Sequence, residues 1–121
     1  SVKNNVSFEE LLLDAEKYAK HGVRPLTLRA YAFDWKDFSE FCKDNRRSVL
    51  PARPDTVAAY LSHLSRTHTV STLTRRLASI TYAHKLRELA DPGKHPMVKS
   101  LMKGLRRAKL TKTNEKKALL V

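Results

Sequence analysis

The sequence predicts an all-α fold, and three observations carry that prediction. Apolar residues recur at intervals of three and four, the period of helices buried along one face. Strand-type alternation is hard to find anywhere along the chain. Only three glycines and five prolines occur, and most fall in clusters: Gly22 with Pro25, Pro51 with Pro54, and Pro92 and Gly93 with Pro96. Such clusters punctuate helices rather than interrupt them.

An opening helix is expected from Ser7, whose hydroxyl caps while Glu10 reaches back, a Ser-x-x-Glu capping box. Phe8, Leu11, Leu12, Ala15 and Ala19 share its apolar face, and Gly22 supplies a stop. An aromatic helix follows, from Pro25 or Leu26 to Asn45. Its stripe of Leu28, Tyr31, Trp35, Phe38 and Cys42 is spaced 3, 4, 3 and 4 residues apart, with Phe41 broadening the face. That stripe reads as the core of the bundle rather than a base-stacking platform.

The next helix opens at Pro54, where a missing N–H costs nothing, and Asp55 suits the positive end of its dipole. Val57, Tyr60, Leu61 and Leu64 form its stripe, and its end is expected near Thr67. A further helix opens at Ser71 or just before it and runs to Leu89. Leu73, Leu77, Ile80 and His84 lie on one side, with Leu86 and Leu89 extending it. A final basic helix carries Met97, Val98, Leu101, Met102 and Leu105 as far as Leu110. The segment TKTNEKK (111–117) lacks periodicity and reads as a linker, and ALLV then opens something apolar. The expectation is therefore a domain over residues 1–110 and a linker over 111–121, cut from a longer protein.

The chain has 121 residues and a formal net charge of +12. One domain is expected at this length, and 41% hydrophobic residues exclude a disordered basic tail. A single cysteine, Cys42, excludes an internal disulfide and fits a reducing compartment. No apolar run approaches a membrane span, and the start lacks the apolar core of a signal peptide. The expectation is a soluble, cytoplasmic, nucleoid-associated domain with no membrane partner.

Little in the sequence points to catalysis. None of His21, His63, His68, His84 and His95 stands four residues from another, as a helical ligand pair requires, so no metal is expected. His84, on an apolar side, reads as packed or capping. Cys42 reads as a small core residue. Carboxylates are scattered, no glycine-rich phosphate loop exists, and no cofactor is implied. The positive charge is the informative feature. Arg24 and Arg29 flank Thr27, and Arg75 and Arg76 follow Ser71, Thr72 and Thr74. Lys99, Lys103, Arg106, Arg107 and Lys109 stud the final helix, with Lys112, Lys116 and Lys117 beyond. A basic surface is often merely solvated. Hydroxyls and guanidinium forks at helix starts, however, suit phosphate and guanine edges.

These residues resemble a family. TLRAYAFDWKDFSEFC (27–42), PARPDTVAAYLSHL (51–64) and VSTLTRRLASITYAH (70–84) are similar to the N-terminal core-binding domain of tyrosine recombinases (phage integrases), in its Cre-like members above all. The likeness spans from about Phe8 to the closing KKALLV. It implies a SAM-like bundle of four to five helices that clamps one face of double-stranded DNA while a catalytic domain, absent here, grips the other. No tyrosine of this chain is then the nucleophile, and the fragment is not itself an enzyme. Carried over by position, the DNA-facing residues are Thr27, Arg29 and Ala30, then Ser71, Thr72, Arg75 and Arg76. Thr27, Arg29, Thr72 and Arg75 are expected to face the groove, while Arg24, Ser71, Arg76, Lys103, Arg106 and Arg107 mainly contact phosphate. Ala30 replaces a longer side chain and Arg75 an amide, so no base preference transfers. The resemblance also implies contacts with neighbouring protomers on DNA and a monomer in isolation. Two other readings stay open: a freestanding helix-turn-helix regulator, and a basic helical module that meets an acidic protein.

Overall fold

The computed structural model describes residue 10 and residues 24–119. Four α-helices and a short 3-10 turn make up this region, with no strand among the described residues, which matches the all-α expectation. Helix α1 spans Pro25–Asp44, α2 Pro54–Leu64, α3 Val70–Leu86 and α4 Pro96–Leu119, with the 3-10 turn at Pro92–Lys94. The expected opening helix lies outside the described residues except for Glu10. That residue is helical, and its Oε2 stands 3.3 Å from Nη2 of Arg87.

Helix α1 begins where Pro25 fixes the backbone and ends through a left-handed residue. Arg46 takes φ 55°, Arg46 N–H donates to the Lys43 carbonyl and Arg47 N–H to that of Cys42. This is the paired closure that satisfies the last carbonyls of a helix. Helix α3 closes the same way on Glu88, also at φ 55°, with Leu89 N–H donating to the His84 carbonyl. Its start is capped by Thr69, whose Oγ1 accepts from Thr72 N–H at 3.2 Å. The start at Val70 agrees with the expected opening at Ser71 or just before it, whereas the expected end at Leu89 moves back to Leu86.

Helix α1 packs against α3, and α2 against α4, with the 3-10 turn wedged among α2, α3 and α4. Trp35, Phe38 and Cys42 of the aromatic stripe are buried, and Leu28 and Tyr31 half-buried, against Val57, Tyr60, Leu61, Leu73, Ile80, Val98 and Met102. Phe38 meets Tyr60 edge to face at 5.0 Å and Trp35 at 5.7 Å. Offset and tilted ring pairs of this kind add to the burial energy. Phe33 departs from the core reading of the phenylalanines and is 66% exposed, because it lies off the buried face of α1.

His84 is fully buried and stitches α3 to the loop before α2. Ala52 N–H donates to its Nε2 at 2.8 Å, and its Nδ1 lies 2.7 Å from the Ile80 carbonyl. Those partners fix a neutral ring with the proton on Nδ1. Gly93 sits where a Cβ would come within 3.1–3.3 Å of Asp91, Thr81 and Leu77. Asp91 there accepts from both Gly93 N–H and the Thr81 hydroxyl.

The end of the last helix also differs from expectation. Helix α4 continues past Leu110 to Leu119, through the stretch read as a linker. Residues 111–119 are exposed, so burial does not hold them. They contain neither Gly nor Pro, and Thr113 Oγ1 donates back to the Lys109 carbonyl. Lys, Glu, Ala and Leu have high helix propensity, which carries a helix without an apolar face.

Candidate nucleic-acid interface

The arginines at 75 and 76 are neighbours in sequence and opposites in space. Successive residues of a helix stand about 100° apart, so one of the pair turns inward on α3 while the other stays near solvent. Arg76 is the inward one, 7% exposed. Its Nη1 lies 2.8 Å from Asp37 Oδ2 and donates to the Tyr60 hydroxyl at 3.2 Å. The Tyr60 hydroxyl donates in turn to Asp37 Oδ2 at 2.7 Å. Burial and the Asp37 carboxylate together push the phenol of Tyr60 well above its ordinary range. Arg76 Nε sits 3.3 Å from Asp34 Oδ1 without hydrogen-bond geometry, and its guanidinium stacks over the Phe33 ring at 5.6 Å.

Arg75 points the other way and keeps 47% of its side chain exposed. Its root is nevertheless fixed. Nε donates to Asp34 Oδ2 at 2.8 Å and Nη2 to Oδ1 at 2.9 Å. Asp34 itself is fully buried in α1. A carboxylate in that position is tolerable only when paired, and two arginines of α3 pair it.

The outward face of α3 is otherwise built from short side chains. Ser71 and Thr74 are exposed and Ala78 half-buried. Thr72 is half-buried, with its hydroxyl engaged by Thr69 Oγ1. Tyr31 and Tyr82, with ring centroids 5.4 Å apart, and Lys85 border a shallow depression beside this face.

A second concavity lies between the loop before α3 and the second half of α4. Arg66, His68, Arg106, Lys109, Lys112 and Lys116 line it together with Thr67, Thr69 and Thr113, and no carboxylate does among the described residues. Lys109 Nζ donates to the Ser65 carbonyl at 2.9 Å and ties α4 to the end of α2. Five permanent cations around one groove make a local positive field that low-dielectric walls concentrate.

The residues singled out from the sequence are therefore not all together. Arg24, Arg29, Ser71, Lys103, Arg106 and Arg107 are exposed, while Thr27 and Ala30 are half-buried on the flank of α1. Contacts between Tyr31 and Tyr82, Asp34 and Arg75, and Asp37 and Arg76 show α1 advancing as α3 retreats. The start of α1 thus lies toward the C-terminal half of α3 rather than beside its start. Sequence reasoning missed Asp34 as the anchor of Arg75, and it missed Arg66. It saw Lys109, Lys112 and Lys116 only as a charge run, since their meeting with the 66–70 loop depends on α4 continuing as a helix.

Burial raises the Cys42 thiol to about 12, so it carries no thiolate at neutral pH. Among the described residues no three His, Cys, Asp or Glu side chains gather as a metal site would require. None of the described helices is long and apolar enough to cross a membrane.

Comparison with known proteins agrees with the resemblance in the sequence. A family model described as "Phage integrase, N-terminal SAM-like domain" matches residues 8–89. The integrase/recombinase xerD homolog of Selenomonas ruminantium is 32% identical over 123 residues, covering 99% of this chain. Those residues are 35% of the relative, so the chain spans about a third of its length.

Proposed function

The chain belongs to the family of phage-integrase N-terminal SAM-like domains, the non-catalytic part of a tyrosine recombinase, and from that premise we propose that it binds double-stranded DNA as one half of a clamp. The parent protein then carries out site-specific recombination through a catalytic domain that grips the opposite face of the duplex.

The observation that supports this reading best is the cationic groove between the 66–70 loop and α4, which no carboxylate lines among the described residues. It lies at the start of α3, whose outward face of Ser71, Thr74 and Ala78 lets the helix backbone approach a ligand closely. A major groove about 12 Å wide accepts such a helix, and the flanking phosphates then fall beside the cations. In this arrangement Arg66, Arg106, Lys112 and Lys116 hold phosphate, and Lys103 and Arg107 extend the track along α4. Ser71 adds a hydroxyl at the helix start. Arg24, the N-cap of α1, makes no side-chain cap hydrogen bond. Thr27, Arg29 and Ala30 meet the duplex from α1, and Thr72 and Arg75 from α3. Arg76 acts from inside, holding the α1–α3 geometry rather than a phosphate. Protomers meet only on DNA, and the chain alone is a monomer.

Removing charge from the groove tests this directly. The triple variant Arg106→Ala/Lys112→Ala/Lys116→Ala is expected to weaken duplex binding at least tenfold in fluorescence anisotropy. The slope of log K against log salt should become shallower by about 3. Arg53→Ala, at the opposite end of α2, should change neither quantity. Equal effects of the two variants would contradict the groove as the phosphate site.

A further inference from the structure

We propose that Arg75 is a guanine-reading residue whose side chain is held in its reading pose by Asp34 before DNA arrives. This deepens the DNA-binding reading above and rests on it.

The argument starts from the edges of a guanidinium. Arginine has five N–H donors in a planar fork. Asp34 occupies one edge of the Arg75 fork, accepting from Nε at 2.8 Å and from Nη2 at 2.9 Å. Nη1 has no hydrogen-bond partner among the described residues, and the second Nη2 hydrogen points away from Asp34. The Nη1–Nη2 end is therefore left for a ligand, and it presents two parallel donors. Guanine offers two matching acceptors, O6 and N7, in the major groove, whereas adenine offers one acceptor beside a donor. The end-on fork thus fits guanine and meets a clash of donors at adenine.

Pre-organisation by a buried carboxylate sets this arginine apart from Arg53, whose partner Asp55 is itself exposed to solvent. A free arginine loses rotamer freedom when it binds, and that loss weakens the contact. Arg75 has already given up this freedom to a carboxylate that cannot move, because Asp34 is fully buried in α1 and also faces Arg76 at 3.3 Å. The short side chains of Ser71, Thr74 and Ala78 on the same outward side leave room for a base edge to reach the fork. Arg29 is exposed and has no such carboxylate partner among the described residues. The class of ligand assigned is a G·C pair in duplex DNA.

Selection from a randomised duplex pool with the 121-residue chain tests the assignment, followed by anisotropy on the selected site. The chain should enrich a guanine at one position, and replacing it with adenine should weaken binding about five- to a hundredfold. Arg75→Ala should abolish that preference while binding adenine and guanine duplexes alike. Arg75→Gln presents one donor and one acceptor, the pattern that pairs with adenine N6 and N7, so it should move the preference from guanine to adenine. Helicity and melting of each variant are measured alongside, and Arg75→Gln carries the decision if the alanine variant does not fold. An unchanged guanine preference in Arg75→Gln, or none in the unaltered chain, would overturn the proposal. Arg75→Gln weakening every duplex equally would make Arg75 a phosphate contact and overturn it as well. Failure of the unaltered chain to bind any duplex would instead remove the DNA-binding reading itself, and this inference with it.

Discussion

A fully buried carboxylate between two arginines is the least forgiving residue in this protein. Asp34 pairs with Arg75 and Arg76 inside the α1–α3 contact. Its removal takes both hydrogen bonds from Arg75 and one of two counter-charges from Arg76, which has almost no access to water and keeps only Asp37. Asp34→Ala is therefore expected to cost about 3–5 kcal/mol, measured by urea unfolding, while exposed Lys36→Ala should stay within about 0.5 kcal/mol. His84 makes a second residue-level prediction. Burial lowers its pKa from the ordinary value, and the neutral ring accepts from Ala52 N–H. The unfolded chain takes up that proton near pH 6.5, the folded one only at lower pH. The stability His84 contributes is thus complete above about pH 6.5 and falls as the pH drops below it. His84→Ala should remove this pH dependence and cost about 3 kcal/mol through a cavity and an unpaired N–H. A histidine on an apolar stripe was legible as packed from spacing alone. The opposite fates of Arg75 and Arg76 were not. Both are simply basic in sequence, and only the position of Asp34 on another helix distinguishes them.

Helix interiors were more legible than helix ends. The stripe from Leu28 to Cys42 placed α1 within one residue of its observed end, because aromatic spacing fixes a buried face. The end of α3 was set three residues too far, since its left-handed closing residue is Glu88 rather than a glycine. The non-glycine residue at positive φ is strained there. Glu88→Gly should consequently raise stability by about 0.5–1 kcal/mol in thermal melts, despite glycine's flexibility when unfolded. Helix α4 gives the complementary case. Gly104 lies within it, and a Cβ there would meet nothing within 4 Å. Gly104→Ala should stabilise the helix by about 0.5–1 kcal/mol. Gly93→Ala should do the reverse, because its Cβ would crowd Asp91 and Thr81. The stretch 111–119 escaped the periodicity argument since it has no buried face, although its composition favours a helix.

At the scale of the whole molecule, charge carries the account. A net charge of +12 on 121 residues draws any polyanion, and shape must do the selecting. In the proposed clamp, the groove beside α4 and the short-side-chain face of α3 supply that shape for a duplex. Family and fold were legible because three quoted stretches keep the order and spacing of their helices. The site was legible only as a list of basic residues, since its cations come from the 66–70 loop and from turns of α4 far apart in sequence. The most direct test is a fluorescence-anisotropy titration of labelled duplex DNA, single-stranded DNA and duplex RNA across a salt series. The account predicts tightest binding to duplex DNA, with log K falling against log salt at a slope near −5, as about six neutralised phosphates require. Equal affinity for all three nucleic acids, or no duplex binding at low salt, would contradict it.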